Sequence, residues 1–201
     1  MNQPKAAVDA INKATLRGQA LSRRNALGET ERAEASAKIA ERAADIMVSL
    51  LPNSVALYRP IGSECDTRAL IVKAGLIGAE IGLPAIVDRS RIIFRRYRQG
   101  DPLVAGGFGT SVPAAEAPLI EPDVMIVPIV GFDRSGIRLG YGRGYYDGAI
   151  AALRKAGRDP KLIGIAFSVQ EVEPIPAEPH DVRLDWIVTE KETLDFRGGK
   201  G

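Results

Sequence analysis

The sequence predicts an α/β protein, a three-layer sandwich with a mostly parallel central sheet and helices on both faces. Three observations carry that expectation. Short apolar runs, Ser54–Tyr58, Leu83–Val87, Val124–Val127, Leu162–Phe167 and Leu184–Thr189, alternate with longer helix-forming segments. Runs without polar alternation suit strands covered on both faces. The run Val124–Val127 leads through a glycine-rich stretch into an apolar-rich segment, Tyr145–Lys155, which gives the strand–loop–helix order of an open α/β sheet. Finally, 201 residues that are 45% hydrophobic and 26% charged can bury a real core, and they match neither a disordered nor a fibrous chain. No repeat or clear boundary divides residues 1–201. One domain is expected, with a helical segment 4–51 packed on the α/β core and a frayed tail over 191–201.

Taken in order, Val8–Leu27 reads as a helix on which Lys13, Arg17 and Arg24 share a side, at spacings of four and seven. Most such faces are solvated; this one precedes a loop suited to an anion and can fold over it. Glu29–Leu51 is a second helix with Thr30 as candidate cap, stopped by Pro52 and Asn53. The strand Ser54–Tyr58 ends in a polar loop, Arg59–Asp66, and Asp66 or Thr67 can cap the next helix, Arg68–Gly78. Glu64 in that loop is either a surface carboxylate or a ligand contact, because open sheets bind ligands at strand C-termini. Ile92–Tyr97 follows Leu83–Val87 as another strand. Arg91, Arg95, Arg96 and Arg98 suggest that it is solvated or at an edge. Gly100–Pro122 is rich in glycine, proline and alanine and reads as a long loop. Gly157 ends the helix Tyr145–Lys155, and a proline-containing loop, Ser168–Glu178, and Pro179–Asp181 lead to the last strand.

Bulk properties narrow the classes of function. A net charge of +2 with interspersed signs does not call for nucleic acid, while a basic pI suits an anionic small molecule. One cysteine, Cys65, excludes an internal disulfide and fits a reducing compartment. A nucleophilic pair would require Cys65 to meet the sole histidine, His180. No apolar run is long enough to span a membrane, and Met1–Ala10 lacks the apolar core of a secretory signal. The expectation is a cytoplasmic monomer without a membrane partner.

The candidate chemistry lies in Pro128–Asp147. Gly140, Gly142 and Gly144 alternate with Tyr141 and Arg143, followed by Tyr145, Tyr146 and Asp147. Glycine backbone can approach an anion closely, and a following helix start adds N–H groups and partial positive charge. Arg138 and Arg143 can add charge-assisted hydrogen bonds, and Asp147 is a hard oxygen donor suited to magnesium carried by a nucleotide. The alternative is a loop that only turns the chain. Two familiar phosphate templates do not match: a dinucleotide fingerprint starting at Gly140 would place glycine where Tyr145 stands, and no Gly-Lys-Ser/Thr occurs.

Several segments in order resemble the 5-formyltetrahydrofolate cyclo-ligase family, also called methenyltetrahydrofolate synthetases. They are Lys13–Arg17, Glu64–Thr67, Val127-Pro128 with Phe132-Asp133, Arg138–Asp147, Gln170 with Ile175-Pro176, and His180-Asp181 with Ile187–Glu190. The resemblance implies an enzyme that uses ATP and Mg2+ to convert 5-formyltetrahydrofolate to 5,10-methenyltetrahydrofolate, releasing ADP and phosphate. It implies nucleotide contacts at Lys13, Ala14, Thr15, Leu16, Arg17, Arg138, Leu139, Gly140, Tyr141, Gly142, Arg143, Gly144, Tyr145 and Tyr146. Folate contacts would be Arg59, Glu64, Tyr141, Gly142, Arg143, Gly144 and Tyr145. Asp147 and Asp181 would hold the metal, and Arg143 and Tyr145 would be catalytic. One departure stands out: the family often has Glu-Pro after Phe-Gly, whereas Phe108-Gly-Thr-Ser-Val-Pro113 lacks that glutamate, with Glu116 nearby. Two other readings compete, a non-catalytic nucleotide- or folate-binding module and a sugar-phosphate isomerase or CoA-transferase-like enzyme. The second needs a carboxylate or lysine base in the glycine loop, and none stands out there.

Overall fold

The structure, a computed structural model, describes residues 12–89, 91–179 and 181–198, the side chain of Phe108 excepted. The helices are α1 (Lys13–Ala26), α2 (Glu29–Ser49), α3 (Arg68–Leu76) and α4 (Tyr145–Lys155). The strands are β1 (Ser54–Ala56), β2 (Glu80–Ile86), β3 (Ile92–Tyr97), β4 (Leu103–Ala105), β5 (Ser111–Pro113), β6 (Leu119–Ile120), β7 (Val124–Pro128), β8 (Gly131–Phe132), β9 (Arg138–Leu139), β10 (Lys161–Ile165), β11 (Trp186–Val188) and β12 (Thr193–Asp195).

Eight strands form one sheet in the order β12-β11-β10-β7-β1-β2-β3-β6. The five from β11 to β2 run parallel, and antiparallel strands finish both edges. Alternation along β7 shows how the sequence builds three layers. Val124 and Ile126 face α2 and α3, where Ile39, Ala43, Met47, Leu70 and Ala74 are buried. Met125 and Val127 face the other way, onto Ala149 and Ile150 of α4. Because both faces are covered, the strand reads as an unbroken apolar run. The expected fold class is therefore correct.

The chain runs outward from the centre in both directions: β1 crosses through α3 to β2, and β7 crosses through α4 to β10. The strand order thus reverses between β1 and β7, so the loops leaving their C-terminal ends part from each other and leave a crevice. This is where open α/β sheets place ligands.

A glycine sets the packing beside this crevice. A Cβ on Gly164 in β10 would overlap the Cδ1 methyls of Leu184 and Ile129. Gly164→Ala is expected to cost about 1–3 kcal/mol through overpacking, read as a lower midpoint in urea unfolding with an unchanged slope.

Several local expectations are corrected. Gly28, not Thr30, is the N-cap of α2, and no side chain caps it. β3 is not the edge: β6 pairs with it, and two residues of β6 form the blunted margin. Its arginines are held rather than simply solvated, Arg95 Nη1 donating to Ala117 O at 2.8 Å and Arg96 meeting Glu80 at 3.5 Å. The long loop Gly100–Pro122 contains the β4–β5 hairpin and β6. The tail is not frayed over Thr193–Asp195, which pairs with β11 as β12. Arg197 covers the Trp186 ring at 4.3 Å and pairs with Asp195 at 2.6 Å. The expected start of the first helix at Val8, the N-terminal stretch below Asn12, and His180 lie outside the described residues.

Candidate active site

The loop after β7 is a braced structure. β8 and β9 form a hairpin, Gly131 opposite Leu139 and Phe132 opposite Arg138. Asp133 accepts hydrogen bonds from Ser135 N (2.8 Å), Ser135 Oγ (2.6 Å) and Ile175 N (2.8 Å). Buried Gln170 donates to the carbonyls of Ile129 (2.7 Å) and Val130 (2.9 Å) and accepts from Phe167 N (2.8 Å). Asp133 and Gln170 therefore fix the loop's base. Beyond β9 the chain turns through Gly142 (φ 87°) and Gly144 (φ 66°), left-handed conformations that favour glycine. Gly144 is the N-cap of α4 without a side-chain cap, so no capping side chain competes for the first-turn N–H groups, and Arg143 is exposed beside them. An anion is the natural partner for such a terminus.

The basic face of α1 closes over this loop. Asn12 caps the helix by accepting from Thr15 N at 2.9 Å. Lys13 Nζ meets Asp181 at 2.7 Å and Glu178 at 2.9 Å. Burial opposes its charge, but the bonds from these two carboxylates leave its pKa above the ordinary lysine value. Arg17 Nε donates to Gly140 O at 2.6 Å. Arg24, buried, donates from Nε to Ser63 Oγ and from Nη2 to Tyr141 Oη, both at 2.9 Å. One helix face thus touches the loop after β1, the glycine loop and the segment before β11.

Glu64 sits on the opposite wall of the crevice. It accepts from Ile61 N at 2.9 Å, so it does not hang free in the loop. Burial pushes its pKa up, while the Ile61 N–H, the charge of Arg24 and a bond to Tyr141 pull it down. The guanidinium acting on Glu64 is that of Arg24; exposed Arg59 acts on Asp66. The sequence places Arg24 on the helix face of Lys13 and Arg17 without singling it out. Its four-residue spacing from buried Leu16 and Ala20 was the available signal.

Below the loop, Arg138 Nη2 donates to Asp147 Oδ1 at 2.8 Å and Nη1 to Val182 O at 2.6 Å, while Val182 N donates to the same Asp147 oxygen at 3.2 Å. Burial lowers the Arg138 pKa, and Asp147 and then Asp181 support its charge. Among the described residues no three His, Cys, Asp or Glu side chains converge as a ready-made metal cage. The donor chemistry nevertheless fits magnesium, which prefers one or two carboxylates together with phosphate oxygens and water. Among the described residues, Asp147 and Asp181 are the carboxylates that act on Arg138.

Other expected nucleotide contacts are divided by burial. Leu16 and Leu139 are buried and pack with Ile175, so their side chains serve the fold and only backbone remains for a ligand, while Tyr146 is partly buried with its ring toward Phe94. Ala14 and Thr15 are exposed, Thr15 being tied to Asn12; Tyr145 is half-buried against the α4 core. Glu116 lies exposed in the turn after β5. Cys65 is buried, and desolvation pushes its thiol up to about 12. Cys65 is thus expected to resist iodoacetamide at mildly alkaline pH in the folded protein and to react only after denaturation, as mass spectrometry would read it.

A strand-order reversal, with a glycine loop and an open helix start on one side and a carboxylate on the other, gives an α/β enzyme fold with a candidate site suited to an anionic small molecule. The particular family follows from comparison. Residues 9–190 match the model of the 5-formyltetrahydrofolate cyclo-ligase family, and the chain belongs to it. It is 35% identical over 151 residues to the 5-formyltetrahydrofolate cyclo-ligase of Mycolicibacterium smegmatis, covering 70% of this chain and 75% of that one. The Mycoplasma pneumoniae cyclo-ligase is 31% identical over 191 residues, covering 90% of this chain and 100% of the relative. Among solved structures, the Aquifex aeolicus 5,10-methenyltetrahydrofolate synthetase superposes with a TM-score of 0.78 at 33% identity, covering 94% of this chain and 95% of that one.

Proposed function

We propose that the protein converts 5-formyltetrahydrofolate to 5,10-methenyltetrahydrofolate with consumption of ATP. The observation that supports this best is the meeting of two unlike walls at one crevice. The glycine loop, the α4 start, Arg17 and Arg143 suit a triphosphate, while Glu64 on the other wall, with the half-exposed Tyr141 of the glycine loop bonded to it, suits a flat, hydrogen-bonding ring. The formyl oxygen attacks the γ-phosphorus, and ADP leaves. The N10 amine then closes on the activated carbon, and that oxygen departs in phosphate. An N-formyl oxygen is a poor leaving group until it is phosphorylated, so the protein's task is positioning and charge neutralisation.

In this reading Lys13 and Arg17 hold the nucleotide by charge, and residues 138–146 border its phosphates, with Leu139 contributing backbone. Glu64 accepts from pterin N–H groups. Arg143, with Tyr145, faces the transferring group. Asp147 and Asp181 hold magnesium, directly or through water, and bound magnesium would neutralise phosphate charge. The enzyme would work in the cytoplasm as a monomer on two small molecules, without nucleic acid or membrane. Among the described residues no helix is long and apolar enough to cross a membrane.

The test is to mix the protein with 5-formyltetrahydrofolate and Mg-ATP and follow the methenyl absorbance band. The band is expected only with all components present. ATP binding without turnover would favour a non-catalytic module.

A further inference from the structure

Arg24 is a buried guanidinium with one nitrogen unaccounted for. The residue is 3% exposed, and its Nη1 is a buried side-chain nitrogen without a hydrogen-bond partner. Its other contacts bridge the crevice: Nε reaches Ser63 on the loop after β1, and Nη2 reaches Tyr141 on the glycine loop. A buried donor left without an acceptor is costly, and native structures rarely keep one unless something else supplies the acceptor. The ring of Tyr141, 52% exposed, lies 5.9 Å from the guanidinium carbon and is the cover an occupant would have to shift. Gly142, which follows Tyr141 directly, is at positive φ.

We propose that Arg24 is a substrate-contact residue whose Nη1 donates to the carbonyl oxygen at C4 of the pterin ring. This rests on the cyclo-ligase reading. A pterin edge presents an N–H donor beside a carbonyl acceptor. Glu64 provides a carboxylate for the first, and Arg24, the arginine that acts on it, provides a donor for the second. The two meet at Tyr141, whose hydroxyl accepts from Arg24 Nη2 and is bonded to Glu64, so donor and acceptor face the same place. Arg24 also ties Ser63 to Tyr141, so the same side chain sets the width of the slot.

The experiment uses the full chain and two variants, Arg24→Met and Arg24→Lys, with folding checked by circular dichroism. Arg24→Met is expected to raise KM for 5-formyltetrahydrofolate about 10- to 100-fold, the loss of a hydrogen bond from a charged donor, with KM for ATP changed by less than about twofold. Calorimetric binding of 5-formyltetrahydrofolate without nucleotide should weaken in parallel. Arg24→Lys keeps the charge but cannot hold Ser63, Tyr141 and a third oxygen at once, so its folate KM should stay raised. A 4-amino analogue lacking the carbonyl should bind wild type less well than the 4-oxo compound, and Arg24→Met should narrow that preference.

Unchanged folate binding in Arg24→Met, or equal losses for ATP and folate, overturns the proposal. Full rescue by lysine does so too, since charge alone would then suffice. If Arg24→Met does not fold, the lysine variant and the wild-type preference for the 4-oxo compound decide, and absence of that preference is also fatal. Wild type that neither binds nor turns over 5-formyltetrahydrofolate would instead remove the cyclo-ligase reading itself.

Discussion

Asp147→Asn is expected to lower turnover by two orders of magnitude or more, about 3 kcal/mol in barrier height, while the protein still folds. Asparagine keeps an oxygen where Asp147 Oδ1 now accepts from Arg138 (2.8 Å) and Val182 N (3.2 Å), so the geometry of the loop's base survives. What it removes is charge. The Arg138 side chain is 4% exposed and keeps its proton against desolvation with help from Asp147. Losing that counter-charge should cost about 1–3 kcal/mol of stability, a fall of roughly 2–10 °C in Tm for a chain of this size. Bracing Arg138 and holding magnesium would then fall to one carboxylate, and a magnesium titration separates the two. If Asp147 also holds the metal, the variant's residual rate should need more magnesium to saturate. Near-normal activity at ordinary magnesium, with only Tm reduced, would confine Asp147 to bracing Arg138.

The contacts of Asp147 show which parts of the candidate site were legible in the sequence and which were not. Periodicity and apolar runs gave the sheet and its helices because β7 and β10 are covered on both faces and cannot tolerate polar alternation. β12 was missed because Thr193-Leu194-Asp195 buries only one side chain, and that partly; pairing with β11 and the cover of Arg197 on Trp186 make it a strand. The glycine loop was legible from composition, since left-handed turns at Gly142 and Gly144 demand glycine. Its anchoring was not, because Asp133, Gln170 and Arg138 act through backbone groups distant in sequence. Arg24 illustrates the same limit. Charge spacing puts it on the face that meets the loops, yet only the fold shows that it is buried between Ser63 and Tyr141, whereas Arg59 is exposed.

Arg143→Ala is expected to lower kcat by about 10²- to 10³-fold, the range for removing one preorganised charge donor, with KM for ATP shifted much less. Arg17 already grips the loop through Gly140 O at 2.6 Å, and the α4 terminus provides backbone N–H groups, so ground-state phosphate binding has other sources. Arg143 differs in position. It is exposed between two glycines at positive φ, and in the proposed reaction its guanidinium would follow the γ-phosphoryl group as charge spreads over its oxygens. Arg143→Lys should recover part of the rate, because lysine restores the charge but not the planar fork. Arg17→Ala should show the reverse pattern, a raised KM for ATP with kcat largely kept. If Arg143→Ala instead weakens ATP binding and leaves kcat unchanged, the guanidinium serves the bound nucleotide rather than the transition state, and the charge that accelerates transfer must come from Lys13 or the metal.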